Sequence, residues 1–494
     1  MDWVKNPAAH VMLLLLALHA PRPAAAMCGF FTAPLPTGKA QVAAVKLGNT
    51  ASQVVLLRKG NRTSMTLSNN YKGPAENFAL VVPVPVILKK EDVRTLSPDV
   101  LKHLETLSAP RLLETWENDP CYVNRSIDVA SADGGGTSGA APPVALADPE
   151  PSVKIEAKFA AGEYEIVVLS ALDSSGLERW LQANQYQIPP GAAAALAPYV
   201  REQMKFFVAK VDMSKVRRDP SGVVVLSPLR FTFDAPELRL PVRLGLLNAE
   251  GKQDLLVYIL HPQKRFEAAN YPNLFIHTNL EVQESVRTQF PAFYSTLFQE
   301  TLRRGGDRGM VTEYVWNIDS CDTCPIQKLR PHELYLLGDD DLAPRAGQSA
   351  APSQHPAAAA RYVLTRLHTR YDRQTLSEDL IFHEAAPISG GRDGDRGNVA
   401  GPSPRDRNSF QARYTIRHYW RGPITCSTPR YRQWLRTPLD RGGYSLRRSA
   451  PPQAATNLAG APQAAVSLQG VVRTAVPDLE LPGIAAPLRR RERR

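Results

Sequence analysis

Residues 53–67 read QVVLLRKGNRTSMTL: an apolar run, the turn Lys59-Gly60-Asn61, and a second run in which Met65 and Leu67 alternate with polar residues. Two strand-like runs joined by so short a turn predict a β-hairpin, 53–58 with 63–67. Residues 41–47, just upstream, are strand-like too. Downstream, 78–88 reads as a third, buried strand, with Pro83 and Pro85 suiting an edge or a bulged end better than a sheet centre. Residues 91–107 carry Val93, Leu96, Val100, Leu101 and Leu104 at helical spacing, with Ser97-Pro98 as cap and first turn. The first unit, 27–128, is therefore β-rich with a helix attached.

Residues 129–152 hold almost no large apolar side chains and read as a linker or long loop. Beyond it, 153–159 and 164–169 form paired strands, 177–185 and 192–204 short helices, and 206–211 another strand. Short strands follow at 223–226, 230–233, 240–247 and 255–260, punctuated by turn residues, which predicts an antiparallel sheet. A helix at 282–302 and a strand at 311–316 precede loop-like stretches at 343–360 and 389–409, with returning strands at 362–367, 380–383 and 412–420. The body at 153–440 is thus α+β, and 441–494 reads as a low-complexity, disordered, Arg-rich tail. The predicted class is α+β, β-rich, with mostly antiparallel sheets and a few helices.

A length of 494 residues suggests two to three domains, and 43% hydrophobic residues suffices for real cores. The 42 Pro and 31 Gly favour strands and turns over long helices. The net charge of +11 sits at one end: residues 361–494 hold 23 Arg, no Lys and 11 acidic residues, and the preceding 360 are close to neutral. Such an end is a solvated tail that could attract an anionic envelope surface.

The apolar run VMLLLL at 11–16 leads to Pro23-Ala24-Ala25-Ala26 and then Met27-Cys28, the pattern of an export signal over 1–26. The run is too short to span a bilayer, and no second stretch of about 20 apolar residues exists, so no transmembrane span is expected after signal removal. An exported chain has oxidisable cysteines, is periplasmic or extracellular, and is an improbable partner for nucleic acid.

Five cysteines, Cys28, Cys121, Cys321, Cys324 and Cys426, leave one over. Cys28, beside the cleavage point, is the unassigned one and a candidate for a lipid anchor, although Ala25-Ala26-Met27 is a poor lipobox. That leaves four cysteines for two bridges: Cys321 with Cys324, and Cys121 with Cys426 as the second candidate.

Several strings resemble a bacterial exported family known as domain of unknown function 2330. They are Cys28-Gly29-Phe30-Phe31, Asn69-Asn70-Tyr71-Lys72-Gly73-Pro74, Asp119-Pro120-Cys121, Leu240-Pro241-Val242-Arg243-Leu244-Gly245-Leu246, Cys321-Asp322-Thr323-Cys324 and Gly422-Pro423-Ile424-Thr425-Cys426. The resemblance covers about residues 28–430. It implies export in a bacterium and brings no activity, cofactor or catalytic residue.

Chemistry is sparse. Cys321-x-x-Cys324 is read as a structural disulfide ahead of a redox pair or half of a metal site, because Asp319 and Asp322 disfavour a thiolate there. As zinc ligands the pair would need partners that only an arbitrary choice among His332, His368, His383 and Cys426 supplies. His383-Glu384 lacks the second His of a metalloprotease helix, and 389–397 lacks calcium-loop spacing. Asp339-Asp340-Asp341 reads as a solvated acidic run. Trp116, Trp180, Trp316, Trp420 and Trp434 default to core packing, since a carbohydrate-binding face needs several brought together. No catalytic, cofactor or metal residue is assigned. The expectation is a non-enzymatic envelope binding or scaffold protein, with a thiol–disulfide oxidoreductase at Cys321/Cys324, or an unrecognised hydrolase, as alternatives.

Overall fold

Strand pairing in this chain crosses its sequence order freely. The computed structural model describes residues 29–32, 48–72, 78–121, 153–184, 186, 188–218, 224–248, 251–320, 328–339, 362–391, 402–435, 453–456 and 465–484. The expected signal, Cys28, the 41–47 strand, the 129–152 linker, Cys321, Cys324 and the 343–360 loop lie outside the described residues.

The hairpin forms as the sequence predicts. β2 (Gly48–Lys59) and β3 (Arg62–Lys72) meet at a two-residue turn where Gly60 adopts φ 55°, a left-handed conformation glycine takes without strain. β14 (Gln253–His261) lies parallel to β2, β19 (Val363–Tyr371) lies antiparallel to β14, and β18 (Met310–Asn317) antiparallel to β19. On one flank follow β12 (Leu229–Asp234) and β5 (Val93–Thr95). On the other are β23 (Ser409–Gln411), β21 (Ile388–Gly390) and β22 (Ser403–Pro404), and β16 (Asn273–Phe275) pairs with β18, completing an 11-stranded sheet. The stretch expected as a loop at 389–409 thus contributes short strands to this flank of the sheet, with β22 at its edge.

The apolar runs explain the centre of this sheet. Val54 and Leu56 face one core while Val55 and Leu57 face another. Leu255, Val257 and Ile259 likewise point opposite to Leu256, Tyr258 and Leu260. A strand buried on both faces needs continuous rather than alternating hydrophobicity. One face packs on a five-stranded antiparallel sheet, ordered β1 (Phe30–Thr32), β4 (Ala79–Val84), β9 (Lys205–Val211), β8 (Tyr164–Ala171) and β7 (Val153–Ala161), with α2 (Ser174–Ala183) and α3 (Ala192–Arg201) sharing its core. The other face packs on α1 (Asp99–Ser108) and α5 (Pro331–Leu337). Segments before and after 129–152 therefore share sheets and a core.

A third core gathers around α4 (Val286–Arg304) and a smaller sheet: β17 (Leu280–Val282), β24 (Arg413–His418), β6 (Arg111–Glu117) and β25 (Trp434–Leu435), with β26 (Gln453–Ala454) also on β6. β17, β24 and β6 are mutually parallel. Two small antiparallel groups complete the fold: β13 (Leu238–Leu240) and β15 (Arg265–Ala268) on β20 (Leu380–Ala385), and β10 (Arg217–Arg218) on β11 (Val224–Val225).

Four expectations are corrected. The helix expected over 91–107 starts only at Asp99, because Pro98 restricts the residue before it to extended backbone and Val93 is drawn into β5 against Phe231. The strand expected over 240–247 ends at Leu240. Pro241 follows, and the buried Asp379 carboxylate accepts from the Val242 amide (3.1 Å) and the Arg243 guanidinium (3.1 and 3.2 Å), turning 243–248 into a 3₁₀ segment. β4, placed by its prolines at an edge, is flanked on both sides; β1 ends opposite Val81, so Pro83 meets only β9. Residues 465–484 are not a disordered tail. Leu468, Val471, Val472, Val476, Leu479 and Leu481 are buried in the third core, with α6 (Leu468–Val471) against α4.

The central sheet encloses an ionic cluster. β18 is bulged relative to β19 at Glu313, between the pairs Thr312–Leu367 and Tyr314–Arg366. The fully buried Glu313 carboxylate accepts from Arg366 Nε (2.6 Å), His368 Nδ1 (2.7 Å) and Tyr294 Oη (2.5 Å). His368 stacks on Phe298 at 3.8 Å and gives its other nitrogen to Asp254 (3.3 Å), which Arg370 grips at 2.9 and 3.1 Å. Burial pushes both acids up, but the surrounding cations and donors outweigh it and hold Glu313 and Asp254 at about 2. Burial pushes His368 down, and Glu313 and Asp254 more than reverse this, so its pKa is raised and both ring nitrogens donate.

Glu313→Gln should therefore destabilise the fold by about 3–5 kcal/mol, since it strands buried cations, and a loss under about 1 kcal/mol in urea unfolding would show the cluster to be peripheral. The two acids contribute stability that is present above their unfolded values of roughly 4 and lost as pH falls toward 2. His368 contributes fully below roughly 6.5 and loses its share as pH rises through its raised folded value; His368→Gln should flatten that alkaline limb.

Candidate functional site

The parallel strands β17, β24 and β6 all end at one edge of the smaller sheet, and a cleft of about 380 Å³ opens there. Ligand sites of open parallel sheets form outside such carboxyl ends, where the chain leaves the sheet and loops can diverge. The walls are Val282 at the end of β17 and Glu284 after it, Ile416 to Arg421 along and after β24, Trp116 to Asn118 at and just after the end of β6, and Leu435 and Arg473.

Strand register assembles the aromatic wall. His418 pairs with Trp116 across the parallel strands, and the rings stack at 4.8 Å and 13°. His418 Nε2 reaches Glu114 at 2.8 Å, a carboxylate that also accepts two 2.7 Å bonds from Arg287. Tyr419 packs edge-on against Trp434, and the Arg417 guanidinium lies over the same indole at 5.0 Å. Trp116, Tyr419, Trp420 and Trp434 are all half-buried, the exposure of rings that still present a surface.

Two acids brace the cleft. Glu281 on β17 accepts from Tyr419 Oη (2.7 Å) and Arg417 (3.3 Å), with Arg473 at 3.9 Å. Burial, then the bond to Glu281, pushes the Tyr419 hydroxyl up to about 12, so it stays a donor. Glu117 accepts the backbone amides of Trp420 (3.1 Å) and Arg432 (2.8 Å), clamping the chain after β24 to β6.

Beyond Glu117 a disulfide joins Cys121 to Cys426, 305 residues apart in sequence, with Cα atoms 5.5 Å apart. Backbone bonds from Asn118 to Gln433 (2.8 Å) and from Arg430 to Pro120 (2.7 Å) run beside it. The bridge ties together two walls that strand pairing alone leaves open at this end.

The other sequence candidates do not converge. His332 is exposed on α5, His368 belongs to the buried cluster, and His383 on β20 faces Glu267 at 3.6 Å. Glu384 is also on β20. Among the described residues no three His, Cys, Asp or Glu side chains are grouped as a metal site. Asp339 is held by Lys59 (2.7 Å) and Tyr362 (2.5 Å). Trp316 is buried in the core beside α1 and α5, and Trp180 packs on the first core. Trp116 and Trp420 both line the cleft, and Trp434 packs on its Tyr419. Strand register brought them there, and no local pattern signals it.

A second cleft, of about 490 Å³ between α4 and 465–481, has its cations engaged: Arg303 and Arg304 with Glu300 (2.7 and 2.8 Å), Arg370 with Asp254. It offers no aromatic wall.

The fold and the cleft define a β-rich α+β protein with a disulfide-braced, aromatic cleft at the ends of parallel strands. The chain belongs to a bacterial family described as uncharacterized protein conserved in bacteria (DUF2330), which matches residues 22–383. That span includes β6 and β17 but stops short of β24 and Cys426. No curated protein and no solved structure matches the chain.

Removing the bridge with Cys426→Ser should cost about 2–4 kcal/mol and raise hydrogen exchange selectively in residues 417–434 and 117–121. Uniform exchange across the molecule would show that the bridge does not brace the cleft.

Proposed function

We propose that the protein is an exported bacterial envelope or extracellular protein that acts by binding rather than catalysis, with the cleft between β6, β17 and β24 as its binding site. The observation that carries the reading is the gathering of half-buried aromatic and guanidinium side chains at one sheet edge, locked by a disulfide. Such a bridge belongs to an oxidising compartment, which agrees with the signal-like residues 1–26. Among the described residues no helix is long and apolar enough to cross a membrane.

The arginine-rich end is proposed as an electrostatic tether to an anionic envelope surface. Because 465–484 belong to the third core, truncation would damage the fold. The clean variant instead neutralises Arg489, Arg490, Arg491, Arg493 and Arg494. It should release the protein from envelope fractions at low salt and match the parent at high salt; unchanged partition at low salt rejects the tether.

The binding reading is tested in intact cells. The protein recovered from them should begin near Met27, and a photoreactive residue at position 421, in the cleft wall, should capture an envelope component. The same residue at the exposed position 335 on α5 should not. Equal labelling at both positions removes the cleft as the site, and an intact Met1 terminus removes export.

A further inference from the structure

Resting on the cleft being the binding site, we infer that its ligand is an uncharged sugar, stacked on the indoles of the wall and hydrogen-bonded to the Asn118 carboxamide. Asn118 directly follows β6 and lines the cleft, with only 7% of its surface exposed. Its backbone amide donates to the Gln433 carbonyl at 2.8 Å, but its side chain makes no hydrogen bond among the described residues. A carboxamide carries two donors and an acceptor, and polar groups so deeply buried are almost always paired. A second orphan lies in the same wall: Trp420 Nε1 is buried and has no acceptor among the described residues. Such a wall calls for a partner that both donates and accepts and that also has an apolar face. A sugar has these properties together, with hydroxyls arranged around a C–H face of about the area an indole presents. Trp116 and Trp420, both half-buried, supply the indoles. A volume of about 380 Å³ is at the small end of ligand pockets, which suits a short saccharide.

The ionic groups of the walls give a charged ligand no advantage. Arg417 (3.3 Å) and Arg473 (3.9 Å) both meet the Glu281 carboxylate, Glu284 meets Arg287 at 3.0 Å, and Glu117 accepts two backbone amides. Arg421 stands exposed on the rim, where water and salt screen it. The charges lining the interior are thus answered within the protein, and a ligand charge would have to displace partners already in place at a cost in desolvation. A hydroxyl adds to such pairs without disturbing their balance, since it accepts from a guanidinium or donates to a carboxylate while staying neutral. A polyproline segment also stacks on indoles, but its carbonyls only accept, so it offers nothing to the Asn118 side-chain oxygen. Glu281 and Glu117 are positioning residues here: the first holds the Tyr419 hydroxyl and the second the Trp420 backbone.

The test titrates the intact, disulfide-bonded protein with neutral gluco-, galacto-, manno- and N-acetylglucosamine oligosaccharides, with oligogalacturonate of matched length, and with a polyproline peptide. Calorimetry and indole fluorescence are the readouts. At least one neutral series should bind, shift the indole emission and hold its affinity as salt is raised. Asn118→Ala and Trp420→Ala should each weaken it roughly tenfold, Trp420→Phe should weaken it less than Trp420→Ala, and Tyr335→Ala on α5 should leave it unchanged. In the parent protein the bound sugar should slow hydrogen exchange at 117–118 and 417–421 and leave α5 as it was, a readout that needs no variant to fold. Oligogalacturonate binding more tightly than every neutral series, or neutral binding that weakens with salt, overturns the uncharged ligand while the cleft stands as a binding site. Binding of polyproline alone, or of no sugar, overturns the sugar assignment altogether. Sugar binding untouched by both Asn118→Ala and Trp420→Ala, or slowed exchange only outside the cleft, overturns its placement. The crosslinking at position 421 judges the broader binding reading independently.

Discussion

The bulge at Glu313 is the constraint on which the rest of the architecture turns. One extra residue in β18 swings a carboxylate into the interior, where it meets Arg366 and His368 from β19 and Tyr294 from α4. Bulges re-aim side chains in this way. Arg366 extends the contact to the Glu105 carbonyl of α1, so two helices and two strands register on one residue. Replacing a buried ionic cluster by well-packed apolar groups is often neutral in energy, so its contribution here is geometric: the polar partners accept one arrangement of these elements and penalise others.

The same residue sets where the smaller sheet begins. The Glu313 carbonyl accepts the Ala412 amide, and the Ala412 carbonyl accepts the Arg111 amide. Ala412 is the single residue between β23, which pairs with β18 in the large sheet, and β24, which lies between β17 and β6 in the smaller sheet. Thr278 locks the crossing, donating to the Gln411 carbonyl and accepting the Arg413 amide. With β24 fixed at its start and paired to β6 along its length, His418 has to arrive beside Trp116.

How much of this was legible depended on whether the determinant was local. The hairpin at 53–67 and the strand at 255–260 were readable because turn chemistry and hydrophobic pattern sit within a few residues, whereas the parallel pairing of 255–260 with β2 was not. Residues 240–247 were misread because their pattern is overridden by Asp379, over 130 residues away in sequence and visible only once folded. Residues 465–484 were misread because composition was averaged over a basic region; between Ala450 and Val472 there is no arginine, and the apolar spacing there was the available signal. The cleft was least legible. Trp116, Trp420 and Trp434 are ordinary single aromatics in sequence, and only the pairing of β6 with β24 (parallel) and with β25 (antiparallel), about 300 residues on, brings them to one end of the small sheet.

That distance bears on what the cleft can be. Its walls come from five chain segments, near 116, 282, 418, 435 and 473, and none carries a complete recognition surface. The site exists only when the large sheet has formed, Ala412 has been anchored and the segment after β24 has been folded back onto β6. Glu117 and the Cys121–Cys426 bridge act at this last step, one by capturing two backbone amides and the other covalently. The bridge closes at the open end of the sheet, where pairing between β24 and β6 has run out and two separate loops would otherwise drift. Fixing both walls before a ligand arrives lowers the ordering cost of binding, since the aromatic and guanidinium groups need no further assembly. The structural argument for a binding role is therefore strongest at the place where a core has least use for a covalent lock.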